Sequence, residues 1–80
     1  MSEGIAENSR KKWEKFEEEA RKLRRKYADW EFIRKQPIRV RLALEYYIET
    51  GDLYVASRIA GMKVEEFNEL RKEAGIPNVI

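Results

Sequence analysis

Hydrophobic residues recur at helical spacing along most of this chain, and turn residues interrupt them. Residues 9–35 contain no Gly or Pro and are rich in Glu, Lys, Arg and Ala, which are good helix formers. Apolar residues follow one another there at alternating steps of three and four. We name this stripe the apolar seam, and its members are Trp13, Phe16, Ala20, Leu23, Tyr27 and Trp30. The pattern predicts one long helix over 9–35, with Ser9 as its N-cap and a frayed end at residues 1–8.

Two interpretations of the apolar seam are open. In the first, the seam packs on other helices of the same chain, because a small domain needs every apolar stripe it has. In the second, the seam is an interchain surface that pairs with another copy or with a different protein. The candidate partner-binding residues are Trp13, Phe16, Leu23, Tyr27 and Trp30. The apolar residues Trp30, Phe32 and Ile33 cannot all lie on the seam, so the helix either widens its buried face or bends near Asp29.

A central helix is predicted at residues 38–50, the most apolar stretch of the chain. Pro37 disfavours helical geometry at the residue before it and can occupy the first turn of the next helix. One apolar face holds Val40, Ala43, Leu44, Tyr47 and Ile48, and an adjacent one holds Ile38, Leu42 and Tyr46. We therefore expect neighbours to cover this helix on two sides. Alternation at positions 38, 40 and 42 leaves a β-strand as the alternative.

Residues 53–74 have the pattern of a helix-turn-helix, with helices near 53–60 and 64–74. Gly51 and Asp52 supply a helix stop and an N-cap before it. Small side chains let the two helices approach, and they are Ala56, Ser57 and Ala60. Gly61 can adopt the left-handed backbone conformation that the turn needs. The wedge between the helices is filled by Met62, Phe67 and Leu70.

A short tail at residues 75–80 follows the second of these helices. Gly75 is the expected C-cap, Ile76 folds back on the helix, and Pro77 prevents its continuation. The remaining residues, Asn78, Val79 and Ile80, either cover the core or contact a partner. The sequence therefore predicts an all-α single domain of four helices.

Composition limits the class of protein. The chain has 80 residues, enough for one modest core, and 40% of them are charged, a balance typical of hyperthermophile proteins. It has no Cys, which excludes disulfides and thiolate metal sites and fits a reducing cytoplasm. No apolar run approaches the length of a membrane span. We expect a soluble cytoplasmic protein.

The net charge of +2 is unevenly distributed. The basic excess lies in residues 1–37, away from the helix-turn-helix, whereas nucleic-acid binders concentrate it on one face. Cations at residues 21–41, interleaved with Tyr27 and Trp30, are expected to bind a phosphate backbone without reading sequence. The candidates are Arg21, Lys22, Arg24, Arg25, Lys26, Arg39 and Arg41. The alternative is a solvated helix face that nearby acids balance.

The second helix of the helix-turn-helix is the element that would enter the DNA major groove. Its candidate nucleic-acid-binding residues are Lys63, Asn68, Arg71 and Lys72. The amide could pair with adenine, and the cations could contact phosphate or guanine. Three acids share this surface: Glu65, Glu66 and Glu69. Because they bring negative charge to a polyanion, the alternative is that they only favour the positive end of the helix dipole.

Enzyme chemistry is not expected. The chain has no His and no Cys, so general base catalysis would fall to Asp, Glu or Lys. No paired carboxylates occupy apolar positions where burial could shift their pKa, and Ser57 has no evident base near it. There is no Gly-rich phosphate loop and no metal-ligand spacing. We predict no catalytic residue, no cofactor and no metal site.

The segment ALEYYIETGDLYVASRIAGMKVEEFNELRKEAGIP, residues 43–77, carries a family resemblance. Its matching positions are Ala43, Leu44, Tyr47, Gly51, Ala56, Ala60, Gly61, Met62, Glu66, Phe67, Leu70, Gly75, Ile76 and Pro77. In these it resembles a family of small prokaryotic antitoxin-like helix-turn-helix proteins that is common in archaea. The resemblance implies a helix-turn-helix fold, and a role as a DNA-binding regulator or as the antitoxin of a PIN-domain ribonuclease toxin. The long first helix departs from the short strand-and-helix start typical of that family.

The sequence thus predicts a non-enzymatic binding module, antitoxin-like or regulator-like, with weak nucleic-acid affinity. Its expected partners are further copies of the chain, a toxin-like protein and DNA. The alternative is a protein-interaction or oligomerisation module in which the helix-turn-helix is only a packing unit.

Overall fold

Five helices make up the chain in a computed structural model, which describes the backbone of residues 2–79 and the side chains of residues 11–79. In order they are α1 (Ser2–Tyr27), α2 (Trp30–Arg34), α3 (Ile38–Thr50), α4 (Leu53–Ala60) and α5 (Val64–Glu73). The described backbone contains no strand. The all-α prediction is therefore confirmed, and the β-strand alternative for the start of α3 is wrong.

The last three helices lie where their turn residues predict. Gly51 and Gly61 both adopt the left-handed conformation, with φ of 71° and 69°, and end α3 and α4 respectively. Asp52 is the N-cap of α4, and its carboxylate accepts a hydrogen bond of 3.0 Å from the Val55 N–H. These devices act through the local backbone, so the bounds of α3 and α4 follow directly from them.

The first helix differs from its predicted bounds. α1 already begins at Ser2, so Ser9 lies inside the helix and the predicted frayed end at residues 1–8 is helical from residue 2, while Met1 lies outside the described residues. α1 ends at Tyr27, and a separate α2 begins after the N-cap Asp29, whose carboxylate accepts from the Phe32 N–H at 3.1 Å. The bend near Asp29 is confirmed, and it divides the predicted four helices into five.

The core forms around α3, which contacts α1, α2 and α4. The largest fully buried side chains of the core are Phe67, Ile33, Leu44, Ile48 and Ile76. Phe67 of α5 packs edge-on against Tyr47 of α3, with ring centroids 6.3 Å apart. The first apolar face of α3 is thus covered, but Ile38 and Leu42 of the second face remain half-exposed or more. The expectation that neighbours cover α3 on two sides is therefore wrong at these two residues, whereas Tyr46 of the same face packs against the core.

The tail after α5 ties the end of the chain to the junction between α1 and α2. Gly75 is left-handed, with φ of 73°, and Ile76 turns back into the core as predicted. The carbonyl of Ala74 accepts a hydrogen bond of 2.8 Å from the N–H of Asp29. The orientation of α1 is therefore set at its carboxyl end by the tail. Ile80 lies outside the described residues.

Candidate functional site

The amino-terminal half of α1 projects from the globular part of the molecule. A helix of 26 residues is about 39 Å long, and the longest dimension of the whole molecule is 51 Å. Every side chain from residue 11 to residue 16 is exposed, and Glu17 is the first that is partly covered. The described part of α1 contacts the domain only through its carboxyl-terminal turns.

The face that α1 packs on the domain is not the apolar seam. Ala20, Arg24 and Ala28 are buried at intervals of four residues, and Glu17 and Arg21 beside them are partly buried. At 100° of rotation per residue, the centre of this packed face lies about 80° around the helix from the centre of the seam. Only Ala20 belongs to both the packed face and the seam. The rest of the seam therefore does not lie in the contact between α1 and the domain.

The apolar seam is consequently open to solvent. The exposed fractions of its residues are Trp13 64%, Tyr27 57%, Trp30 41%, Leu23 40% and Phe16 38%. The rings of Trp13 and Phe16 stack on each other with centroids 6.0 Å apart. The indole of Trp30 donates a 3.0 Å hydrogen bond to the Arg25 carbonyl, which holds it at the carboxyl end of α1. The interpretation that the seam packs within its own chain is wrong for these five residues.

Arginines of α1 cap the carboxyl end of α3. The Nε of Arg24 donates to the Ile48 carbonyl at 2.7 Å, and the Nε of Arg21 donates to the Glu49 carbonyl at 2.9 Å. Arg25 donates to the carboxylate of Glu49, with its Nε at 2.9 Å. These carbonyls belong to the last turn of a helix, have no partner within it and lie at the negative end of its dipole. The basic run of α1 is therefore structural in large part.

Two further arginines also donate to backbone carbonyls. The Nε of Arg39 donates to the Ile59 carbonyl at the end of α4, at 2.6 Å. Arg71 is buried in the last turn of α5, where it donates to the Ile76 carbonyl at 2.8 Å and, through Nε and Nη2, to the Asn68 side-chain oxygen at 2.9 and 2.8 Å. Three of the predicted nucleic-acid contacts, Arg21, Arg24 and Arg39, are thus bonded to carbonyls at helix ends, and Arg71 is bonded to the tail.

These contacts correct the predicted nucleic-acid surface. Arg24 and Arg71 are 3% and 7% exposed, so neither guanidinium is available to a phosphate, and the Asn68 oxygen is already bonded to Arg71. Other candidates have exposed partners: Lys22 with Glu18, Lys72 with Glu69, and Lys26 over the Tyr27 ring. Among the described residues, Arg41 and Lys63 are the only candidates whose side chains have neither a backbone nor a side-chain partner. The basic stretch at 21–41 therefore does not form one free cationic face.

No arrangement for catalysis stands out among the described residues. No group of acidic side chains there could hold a metal ion, and no helix is long and apolar enough to cross a membrane. Burial raises the pKa of the Tyr47 hydroxyl, and the charges of Arg71 and Arg24 offset this in part. This hydroxyl donates to the side-chain oxygen of Asn78 at 3.5 Å. One surface depression is lined by α1 alone, by Trp13, Glu14, Glu17, Glu18, Arg21, Lys22 and Arg25.

The chain matches no protein-family profile, no curated protein and no solved structure. The resemblance of residues 43–77 to antitoxin-like proteins therefore stays a prediction. The class that fold and surface define is an all-α helix-turn-helix domain with a projecting helix, and the exposed seam on that helix is its candidate site.

Proposed function

We propose that this chain is a protein-binding module whose docking element is the apolar seam of α1. A single observation carries the proposal: three aromatic side chains and Leu23 lie exposed along one line of the projecting helix α1, and the exposed Trp30 of α2 lies at its carboxyl end. Soluble proteins expose single apolar residues freely, but a contiguous apolar stripe with charged flanks marks an interaction site. Aromatic side chains are also the ones that dominate binding energy at interfaces.

The rest of the fold supports the same function by presenting this helix rigidly. Arg21, Arg24 and Arg25 attach α1 to the end of α3, and the Asp29–Ala74 hydrogen bond fixes where α1 ends. The helix-turn-helix is then a scaffold that fixes the orientation of the seam toward its partner. A partner helix laid along the seam would bury the apolar line between the two. A toxin-like protein, the partner that the resemblance implies, is one candidate of this kind.

Site-specific photo-cross-linking in cells that express the protein tests the proposal. We expect p-benzoylphenylalanine in place of Phe16 to form covalent adducts with a protein, because the partner would lie within reach of that ring. The same group in place of Tyr54, an aromatic residue 71% exposed on α4 and off the seam, should form none. Mass spectrometry of the adduct identifies the bound protein.

Leu23→Asp is the matched loss-of-binding variant. Leu23 is 40% exposed, so the substitution should change the free energy of unfolding by less than about 1 kcal/mol while it introduces a charge into the centre of the seam. The Phe16 adduct should disappear and the helical circular dichroism should stay the same. Equal adducts from the Phe16 and Tyr54 sites, or an adduct that survives Leu23→Asp, would show that the seam is not the docking element.

A second candidate function is weak, sequence-independent nucleic-acid binding at the turn of the helix-turn-helix. The observation that favours it is that Arg58 and Lys63, on either side of Gly61, are exposed and have no side-chain partner among the described residues. The acids that begin α5, Glu65 and Glu66, oppose it because they face the same solvent.

A salt titration on duplex DNA tests this second function. The double variant Arg58→Glu, Lys63→Glu should weaken binding and make the slope of log affinity against log salt shallower by about 2, because two phosphate contacts are lost. Lys15→Glu, an exposed change on the projecting part of α1, is the control and should leave the slope near the parent value. Equal effects of both variants would exclude the turn as the contact.

A further inference from the structure

We propose that the occupant of the apolar seam is the same seam of a second copy of this chain, laid antiparallel, with Glu19 of each copy beside the partner's Lys26. The inference rests on the proposed function and names its partner. In this arrangement residue 21 of one copy lies beside residue 22 of the other. The two α1 helices therefore overlap from Phe16 to Tyr27, and Trp13 of each copy lies beside the partner's Trp30, the first residue of α2.

Side-chain size favours the antiparallel arrangement. Phe16 then faces the partner's Tyr27, and Ala20 faces the partner's Leu23, so that each small residue receives a large one. In a parallel pair Ala20 would face its own copy and leave a gap between bulky aromatic layers. Parallel two-stranded pairs also favour β-branched residues at the seam positions that Trp13, Ala20 and Tyr27 occupy here. Two seams therefore pack better in an antiparallel pair than in a parallel one.

Charges beside the seam select the same register. Glu19 is exposed and has no side-chain partner in the described part of the chain, and Lys26 contacts only the ring of Tyr27. Both residues line one shallow depression, together with Lys22 and Leu23. In the proposed register two attractive pairs form, because Glu19 of each copy lies beside Lys26 of the other. Sliding one helix by seven residues either way sets Glu19 against the partner's Glu19, or Lys26 against the partner's Lys26.

The apolar area is sufficient for a dimer at the lower end of the stable range. Aromatic side chains have surfaces of about 150–250 Å² each, so the exposed parts of the four on the seam amount to roughly 400 Å² per copy. Two copies with Leu23 and the stems of the flanking Lys and Glu side chains reach the ~1,000 Å² that a specific interface needs. The association should accordingly depend on protein concentration.

Charge exchange at the flank tests the register. By sedimentation equilibrium on the full chain, Glu19→Lys or Lys26→Glu alone should raise the dissociation constant of the dimer about tenfold, because each change turns two attractions into repulsions. The double variant should restore it to within about threefold of the parent. Glu69→Lys with Lys72→Glu, which exchanges an exposed ion pair of 3.3 Å on α5, is the control and should leave dimerisation unchanged.

Spin-label distances test the direction. The chain has no Cys, so Lys12→Cys and Lys22→Cys each give one label per copy. At 1.5 Å per residue, the antiparallel pair places the two labels at position 12 about 30 Å apart and the two at position 22 within about 20 Å. A parallel pair would give short distances, within about 20 Å, at both positions.

The outcomes separate this inference from the proposed function. Short distances at both positions, or a double charge variant that dimerises no better than the single ones, would overturn the antiparallel register while the seam remains a docking element. A chain that stays monomeric at millimolar concentration, yet forms the Phe16 adduct with a different protein, would overturn the second copy as occupant only. A monomer without any Phe16 adduct would overturn both.

Discussion

Arg24→Glu is expected to destabilise the fold by about 3–5 kcal/mol, most of the stability of a domain of this size. Arg24 is 3% exposed and its Nε donates to the Ile48 carbonyl at 2.7 Å. Glutamate would place a buried carboxylate beside carbonyl oxygens at the negative end of the α3 dipole, where it has nothing to accept from. Urea unfolding followed by circular dichroism measures the loss.

Two further variants identify its cause. Arg24→Met keeps the aliphatic stem and also removes the buried Nη2, which has no hydrogen-bond partner, so we expect a loss of only about 1–2 kcal/mol. Arg25→Glu reverses the neighbouring cation, whose side chain is 53% exposed, and should cost less than about 1 kcal/mol. Equal midpoints for Arg24→Glu and Arg25→Glu would show that Arg24 is not a buried cap. Substitution of Arg24 is for the same reason no test of nucleic-acid binding.

The bounds of α3 and α4 could be predicted to the residue because their signals are local. Pro37, Gly51 and Asp52 each act on their own backbone, through a fixed φ, a left-handed conformation or a side-chain cap. None of these depends on what packs nearby. The prediction for α5 extends one residue past Glu73, a difference within the usual uncertainty of a helix end.

The break after α1 could not be placed from the sequence because its cause is distant. Ala28 leaves the helix where the Asp29 N–H bonds to the Ala74 carbonyl, a contact between the two ends of the domain. From the sequence alone, Asp29 is predicted to be one more polar residue of a long helix. The start at Ser2 is similar, since Ser9 has the chemistry of an N-cap but nothing before it stops the helix.

To predict that the apolar seam is exposed, one must know which stripe of α1 packs against the domain. Hydrophobicity alone favours the aromatic stripe, but the domain takes the stripe with the smaller side chains. The sequence did hold a signal for this, because Ala20, Arg24 and Ala28 recur at four-residue steps beside the seam. Small residues allow close approach of α3, and the arginine between them reaches its terminal carbonyls. The basic run of α1 therefore caps the end of another helix, α3. The sequence alone does not distinguish such a capping role from a cationic surface.

Gly75→Ala is expected to cost about 3 kcal/mol, more than the same change at Gly61. Both glycines are left-handed, with φ of 73° and 69°, so both substitutions carry the about 1–2 kcal/mol of that backbone conformation. At Gly75, however, the added methyl would lie 2.9 Å from the Tyr27 carbonyl oxygen, a backbone atom that cannot rotate away. At Gly61 the nearest atom, at 3.1 Å, belongs to the guanidinium of Arg39, the end of an exposed and flexible side chain.

The comparison of these two variants tests how the tail holds α1. Because the backbone strain is shared, the difference in their free energies of unfolding isolates the contact with Tyr27, which we expect at about 1–2 kcal/mol. Relief of the overlap would push the end of α1 away from Ala74 and lengthen the Asp29 hydrogen bond, so Gly75→Ala should also speed amide hydrogen exchange at Asp29. Gly61→Ala should leave that amide as it is. If the two variants melt alike and exchange alike, the tail does not fix the carboxyl end of α1, and the direction in which the seam points must be set by the arginine caps alone.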